Sequence, residues 1–201
     1  MDLSQSLNFN CKTGKTFELA LEHREEYDQH HCERVANLAV QAGVVLGMDD
    51  DSLYQLEAAA IFHDIGKIGI ADEILLNVRH LSPAQNELLK THTLIGASIA
   101  EKLAIPDAHK VAKIIRHHHE YVDGSGYPYG LKGEDIPLAS RIICVIDSFD
   151  SLSAEQSYQN QARIEKILDI MKKDISHKFD PDVFECVAAL IKTMTSLSTE
   201  E

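Results

Sequence analysis

The chain has 201 residues and a hydrophobic fraction of 44%, which is enough for one domain with a substantial core. Its formal net charge of −13, with no basic stripe to offset it, argues against a nucleic acid polymer as partner. No apolar run reaches the length of a membrane span and no secretory signal begins the chain, so we expect a cytoplasmic protein without a membrane partner. The four cysteines are far apart and predict free thiols.

The periodicity of the apolar residues predicts an all-α fold, a compact bundle of about seven helices. Residues 1–16 are polar and predict a flexible lead-in, and residues 17–197 are expected to form a single domain. A long helix is predicted from Phe17 to Gly47, with His31 on its buried stripe. An aspartate at positions 49–51 is expected to cap the next helix, which ends at His63 and Asp64 with Gly66 as its stop signal.

The middle of the chain predicts two more helices that carry histidines on their inner faces. A short turn is expected at residues 72–76, and Ser82 with Pro83 predicts the start of a helix that contains His92. A further helix opens at Pro106 and has His118 in line with its apolar residues. Residues 121–137 are rich in glycine and proline and predict a loop, and so long a loop in a compact domain is usually functional.

The last third of the chain predicts a central helix and two peripheral ones. Residues 138–152 are apolar nearly all round, which predicts a buried helix, and Asp147 and Asp150 stand one turn apart on it. Residues 160–174 and 182–195 predict two amphipathic helices. Where apolar and polar residues alternate as in a strand, the same residues fit the periodicity of a helix better.

Seven residues on five of these helices are polar, are predicted to face inward, and are of the types that bind metal ions. Each is costly to bury without a partner, and helix bundles commonly build di-metal sites from facing helices. Five imidazole nitrogens with two carboxylates suit two divalent transition metal ions and favour iron, manganese or zinc over calcium, and we expect iron or manganese. Asp64 is positioned to bridge them. The set is His31, His63, Asp64, His92, His118, His119 and Asp147.

Two further residues near this set have simpler interpretations. Lys67 lies one turn after His63 and is expected to bring a positive charge to the opening of this metal site. His117, the first of three consecutive histidines, is interpreted as part of a solvated helix end.

The motifs resemble those of the HD-GYP domains, a branch of the HD phosphohydrolases that hydrolyses cyclic di-GMP. The resemblance covers about residues 18–190. It is carried by His63-Asp64-Ile65-Gly66-Lys67, by His118-His119-Glu120, and by the run from Asp123 to Pro128. It implies the same seven residues as metal ligands. Members with a third metal have a glutamate where this chain has Tyr27, so the resemblance implies two metals.

The family's mechanism is in-line attack of a metal-bridging hydroxide on a phosphodiester. The resemblance implies catalytic roles for Asp64, Lys67 and Asp150, with Lys67 neutralising the phosphate and held by Asp150. Gly126 and Tyr127 would shape the substrate mouth. The Tyr127 loop would also be able to dock a diguanylate cyclase or another signalling partner.

The sequence departs from the family in the residues expected to hold the substrate. Gln156 and Gln159 stand where basic residues normally bind guanine and phosphate. We therefore expect weak binding of cyclic di-GMP or a preference for a related nucleotide, because each lost charged hydrogen bond costs about 1.5–3 kcal/mol.

Two functions stay open from the sequence. One is a metal-dependent phosphodiesterase acting on cyclic di-GMP or a related nucleotide. The other is a weakly catalytic module that senses nucleotide or binds a partner. Because no sensor domain is recognisable before the helices, regulation is expected from a partner, from redox state or from expression.

Overall fold

The computed structural model describes residues 30–77, 80–154 and 161–197, with backbone only at the helix ends 154, 161, 196 and 197. The predicted lead-in, Tyr27, Gln156 and Gln159 lie outside the described residues. Within these residues the secondary structure is helical, and the one bridge between extended residues joins Ile175 and Phe179. The predicted all-α class is confirmed.

The helices follow one another closely along the chain. They are α1 (His31–Val45), α2 (Asp50–Phe62), α3 (Asp72–Leu75), α4 (Pro83–Lys90), α5 (His92–Ala100), α6 (Ala108–His117), α7 (Leu138–Ala154), α8 (Gln161–Met171) and α9 (Pro181–Leu197). Short 3₁₀ helices cover Ile65–Gly69, Gly133–Asp135 and Lys172–Asp174. No helix among the described residues combines the length and apolar character needed to cross a bilayer.

Two predicted helix starts are confirmed by their hydrogen bonds. The Asp49 side chain accepts a hydrogen bond from the Ser52 amide and begins α2. Ser82 begins α4 through a capping box, in which Ser82 and Gln85 each bond to the other's backbone amide.

The helix predicted from Pro83 through His92 is two helices, because the helix is interrupted at Thr91. The Thr91 hydroxyl donates to the Leu88 carbonyl at 2.5 Å, and the Thr91 amide bonds to that same carbonyl. A threonine hydroxyl that takes up a main-chain carbonyl in this way competes with the helical hydrogen-bond pattern.

The sequence context predicted that Gly66 ends a helix, and this prediction is wrong. Helix α2 already ends at Phe62, and Gly66 lies within the following 3₁₀ helix. A Cβ atom on Gly66 would collide with the His92 carbonyl oxygen and the Gly96 amide nitrogen. Glycine is needed there because the 3₁₀ helix packs directly against the backbone of α5, which brings His63 and Asp64 close to His92.

The main hydrophobic cluster surrounds α7, and a smaller separate cluster contains Ile70, Ile74 and Leu75. Ile142, Ile143 and Ile146 of α7 are buried, together with apolar residues from α1, α2, α5, α6, α8 and α9. The central position of α7 agrees with its prediction and fixes Asp147 against the ends of the other helices.

Candidate metal centre

The structure brings the seven predicted residues together in the interior of the bundle. Two groups of three side chains have ligand atoms that all lie within 4.8 Å of one another. The first group is His31, His63 and Asp147, and the second is His92, His118 and His119.

Asp64 lies between the two groups. Its Oδ2 atom is 3.6 Å from Nε2 of His63, and its Oδ1 atom is 3.6 Å from Nε2 of His92. One carboxylate thus offers an oxygen to each group, which is the arrangement that a ligand shared by two ions requires.

Three histidines are oriented by the same hydrogen bond. Nδ1 of His63 lies 2.8 Å from the Ala60 carbonyl oxygen, Nδ1 of His92 lies 2.8 Å from that of Leu89, and Nδ1 of His118 lies 2.6 Å from that of Ile115. Each carbonyl belongs to the last turn of a helix. Nδ1 must donate in each case, so the lone pair of Nε2 points into the centre, where a metal ion would be bound.

The surroundings of two of these Nε2 atoms indicate whether the residues are suited to bind a metal ion. Nε2 of His92 and Nε2 of His118 are buried and have no hydrogen-bond partner among the described residues. A buried acceptor without a partner costs free energy, and bound metal would remove that cost. The donor set therefore fits divalent ions.

His31 is oriented by side chains instead of a carbonyl. Its Nδ1 atom lies 2.7 Å from Oδ2 of Asp150, and its Nε2 atom lies 3.4 Å from Oδ1 of Asp147. Arg34 donates two hydrogen bonds of 2.7 Å to the Asp150 carboxylate. Burial opposes a charge on His31, but the hydrogen bonds to Asp147 and Asp150 outweigh it and raise the pKa of His31 to about 10.

The second group has the opposite electrostatic character. Burial is the main cause that lowers the pKa values of His92, His118 and His119, that of His119 to about 3. These three imidazoles are therefore neutral near pH 7 and have lone pairs ready for a metal ion.

The predicted pairing of Lys67 with Asp150 is wrong. Lys67 Nζ lies 2.9 Å from Oδ2 of Asp64, whereas the carboxylate of Asp150 is held by His31 and Arg34. Lys67 is carried by the 3₁₀ helix that follows Asp64, so a partner three residues back is within its reach. Lys67 thus contacts Asp64. Asp150 contacts Nδ1 of His31, whereas Asp147 faces Nε2 of the same ring.

The loop of residues 121–137 covers one side of the centre. The Tyr127 ring lies over His119 with 4.9 Å between ring centroids, and its amide donates to the His119 carbonyl at 3.0 Å. A Cβ atom on Gly126 would collide with the backbone of residues 119–121, which explains the glycine by packing. Contact of either residue with substrate stays a prediction.

Glu120 anchors this loop, a role that the sequence motif did not predict. It is 1% exposed, and its two oxygens accept the amides of Tyr129 at 2.7 Å and of Leu131 at 3.0 Å. The only sequence signal was its place directly after two inward-facing histidines.

His117 is buried, so its interpretation as part of a solvated helix end is wrong. It is 7% exposed, with Nδ1 3.7 Å from the Glu120 carboxylate and its ring beside that of Tyr129. The loop folds back over the end of α6, and this tertiary contact was not visible in the helical periodicity. Arg34 was also missed, because its partner Asp150 lies 116 residues away.

A helical bundle with histidine and aspartate ligands at converging helix ends defines the HD domain class. The sequence model of that family, described as HD domain, matches residues 15–183. The chain therefore belongs to the HD domain family.

Two relatives of similar sequence are named as phosphodiesterases of cyclic dinucleotides. The chain is 36% identical over 180 residues to a cyclic di-GMP phosphodiesterase of Thermotoga maritima, which covers 90% of this chain and 49% of the relative. It is also 36% identical over 177 residues to the 3'3'-cGAMP-specific phosphodiesterase 3 of Vibrio cholerae, covering 88% of this chain and 37% of the relative. The chain thus spans about half or less of the length of these relatives.

A solved structure shares the fold. It is a protein from Bdellovibrio bacteriovorus described as an HDG"Y"P protein, with a TM-score of 0.67 and 20% identity over 95% of this chain and 65% of that one. The resemblance inferred from the motifs is confirmed by the family match and by the phosphodiesterase relatives.

Proposed function

We propose that the protein is a metal-dependent phosphodiesterase that hydrolyses cyclic di-GMP or a related cyclic dinucleotide such as 3'3'-cGAMP. The observation that carries this proposal is the pair of ligand groups with Asp64 between them and Lys67 beside Asp64. The names of the relatives in Thermotoga and Vibrio support a cyclic dinucleotide as substrate.

We assign His31, His63 and Asp147 to one metal ion, His92, His118 and His119 to the other, and Asp64 to both. Imidazole with carboxylate suits iron or manganese. When bound, the two ions supply Lewis-acid stabilisation of the phosphodiester and make water acidic enough to act as nucleophile near neutral pH.

The side chains around the ions bind and orient the reacting groups. Lys67, fixed by Asp64, is assigned to a non-bridging oxygen of the scissile phosphate, where it stabilises the charge that grows in the transition state. Asp150 and Arg34 are assigned as positioning residues, because Asp150 bonds to His31 and Arg34 bonds to Asp150. Tyr127 covers His119 and excludes water from that side of the centre.

The experiment is to prepare the protein without oxygen, load it with iron or manganese, and measure bound metal and hydrolysis of cyclic di-GMP and 3'3'-cGAMP. We expect close to two metal ions per chain. His63→Ala combined with His118→Ala should lose most of the metal and the activity. His109→Ala, an exposed histidine of α6, is the matched control and should retain both. Full metal content in the double variant would contradict the assignment.

A second candidate is a partner-binding module with little turnover. It is favoured by Tyr129, which is 61% exposed on the same loop as Tyr127 and is available to a diguanylate cyclase or another signalling protein. Absence of turnover in fully metal-loaded protein, together with partner binding that is lost in Tyr129→Ala, would favour this function over hydrolysis.

A further inference from the structure

A cavity of about 370 Å³ opens beside the proposed metal centre. It lies between the carboxyl-terminal part of α7, the end of α8 and the turn that follows. Its wall includes Asp147, Leu152, Met171, Asp174, Lys178 and Phe179. Because Asp147 belongs to both the cavity and the first ligand group, a molecule whose phosphate lies at the centre would extend directly into this space.

The cavity combines apolar walls with two opposite charges on one rigid turn. The Asp174 carbonyl accepts the amides of His177, Lys178 and Phe179, at 3.2, 2.8 and 3.1 Å. These hydrogen bonds fix the backbone that carries the exposed Asp174 and the half-buried Lys178 beside the cavity. A flat, mostly apolar molecule with polar edges is the kind of ligand that such a wall accommodates.

Within the part of the chain that the structure describes, neither charge belongs to a side-chain ion pair. Among the described residues, the Asp174 carboxylate has no side-chain hydrogen bond, and Lys178 Nζ lies 5.2 Å from the ring centres of both Tyr121 and Phe179. The two aromatic faces hold the ammonium group without occupying its hydrogen-bond donors.

These groups match the edges of guanine. Guanine presents neighbouring N–H donors at N1 and N2, which a carboxylate accepts, and acceptors at O6 and N7, to which a lysine donates. Adenine has a ring acceptor at N1 beside a single amino donor, so the same carboxylate would face a lone pair. The arrangement therefore discriminates between the two purines.

We propose that this cavity receives one guanine base of the substrate, with Asp174 bound to N1 and N2 and Lys178 directed at O6. The inference rests on the proposed phosphodiesterase activity and assigns its base preference. The assignment concerns one base of the dinucleotide, so a substrate with a single guanine satisfies it.

The test compares kcat/KM for cyclic di-GMP, 3'3'-cGAMP and cyclic di-AMP in metal-loaded wild type and Asp174→Asn. Loss of a charged hydrogen bond should lower kcat/KM about tenfold or more for both guanine-containing substrates. Cyclic di-AMP should be unaffected or hydrolysed faster, because an amide is able to pair with adenine. Lys178→Met, which keeps the aliphatic stem over the two rings, should produce the same selective loss.

The matched control is Asp169→Asn, which removes the same charge from an exposed residue of α8 that pairs with Lys172 outside the cavity. It should leave all three rates unchanged. Equal losses on all three substrates in Asp174→Asn, or no loss on any, would overturn the guanine assignment while leaving the phosphodiesterase in place. Failure of the wild type to hydrolyse any of the three would instead refute the proposed function.

Discussion

At the scale of single residues, the centre depends on side chains that fix one another's orientation. Lys67 is bonded to Asp64, and Asp150 is bonded to His31 and Arg34. The residues that would touch a phosphate or a metal ion are therefore separate from those that hold them in place. Substitutions in these two sets should have different kinetic signatures.

Lys67→Ala should lower kcat by about a hundredfold or more while metal content stays near that of the wild type, because a charge aimed at the transition state is removed. The measurement is steady-state kinetics with elemental analysis. Lys110→Ala is a matched control, since Lys110 also pairs with an aspartate three residues earlier, Asp107, but on the surface. An unchanged kcat in Lys67→Ala would show that Lys67 is only a structural partner of Asp64.

The pKa values of the histidines predict different pH responses for the two ligand groups. His31 holds a proton below about pH 10 in the metal-free protein, and an ion bound to its group must displace that proton. Affinity of this group should therefore rise by up to tenfold per pH unit from neutral pH towards pH 10. The group of His92, His118 and His119 is already neutral at pH 7, because the pKa values are lowered, so its affinity should be nearly independent of pH there.

Titration calorimetry in buffers of different ionisation enthalpy measures this proton release. His31 should contribute about one proton to the release that accompanies metal binding at pH 7. The matched variant is Asp150→Asn, which weakens the hold on the proton of His31 and should reduce the release. A release that is the same in both proteins would contradict the assignment of the proton to His31.

At the scale of elements, the sequence predicted most helices but few of the contacts between them. Caps and stripes are local, so Asp49, Ser82 and the apolar face of α7 could be interpreted correctly from their neighbours. The break at Thr91 and the burial of His117 depend on a single hydroxyl and on a returning loop, and periodicity does not record either. The seven inward-facing residues were predictable because each lies on or beside the stripe of its own helix.

Glu120→Ala should loosen the loop of residues 121–137, because the amides of Tyr129 and Leu131 would lose their acceptors. Each hydrogen bond to a charged group contributes about 1.5–3 kcal/mol, and partial exposure of these amides reduces the loss. Amide hydrogen exchange of these two residues should become faster, and the thermal midpoint should fall. Glu134→Ala, in an exposed part of the same loop, is the control. Unchanged protection at Tyr129 and Leu131 would show that the loop is held by other contacts.

At the scale of the whole molecule, charge sets the approach of the substrate. The formal net charge of −13 repels a dianionic dinucleotide at distances where the proposed ions and Lys67 are not yet dominant. The pairing that builds the site is equally global, since Arg34 and Asp150 are 116 residues apart. Such a pairing could not be predicted from the sequence, because nothing in either local pattern refers to the other.

Because the long-range field is repulsive, kcat/KM for cyclic di-GMP should rise as ionic strength increases from low values to physiological salt. The Debye length shortens to about 8 Å under those conditions, which screens distant carboxylates more than groups in the interior. Bis(p-nitrophenyl) phosphate, with a single charge, should respond less. A steady fall of kcat/KM with added salt would indicate that local positive charge dominates the encounter.

The hydrogen bonds from His63, His92 and His118 to helix-end carbonyls have a consequence for the choice of metal. Each ring is set by backbone that the hydrophobic core already holds rigid, so the cage is built when the chain folds and before any ion arrives. A rigid cage adapts little to the ion that it receives, so it should favour ions whose size and coordination geometry match the positions of its donor atoms. Occupancy should accordingly follow this geometric fit together with the supply of each metal in the surroundings.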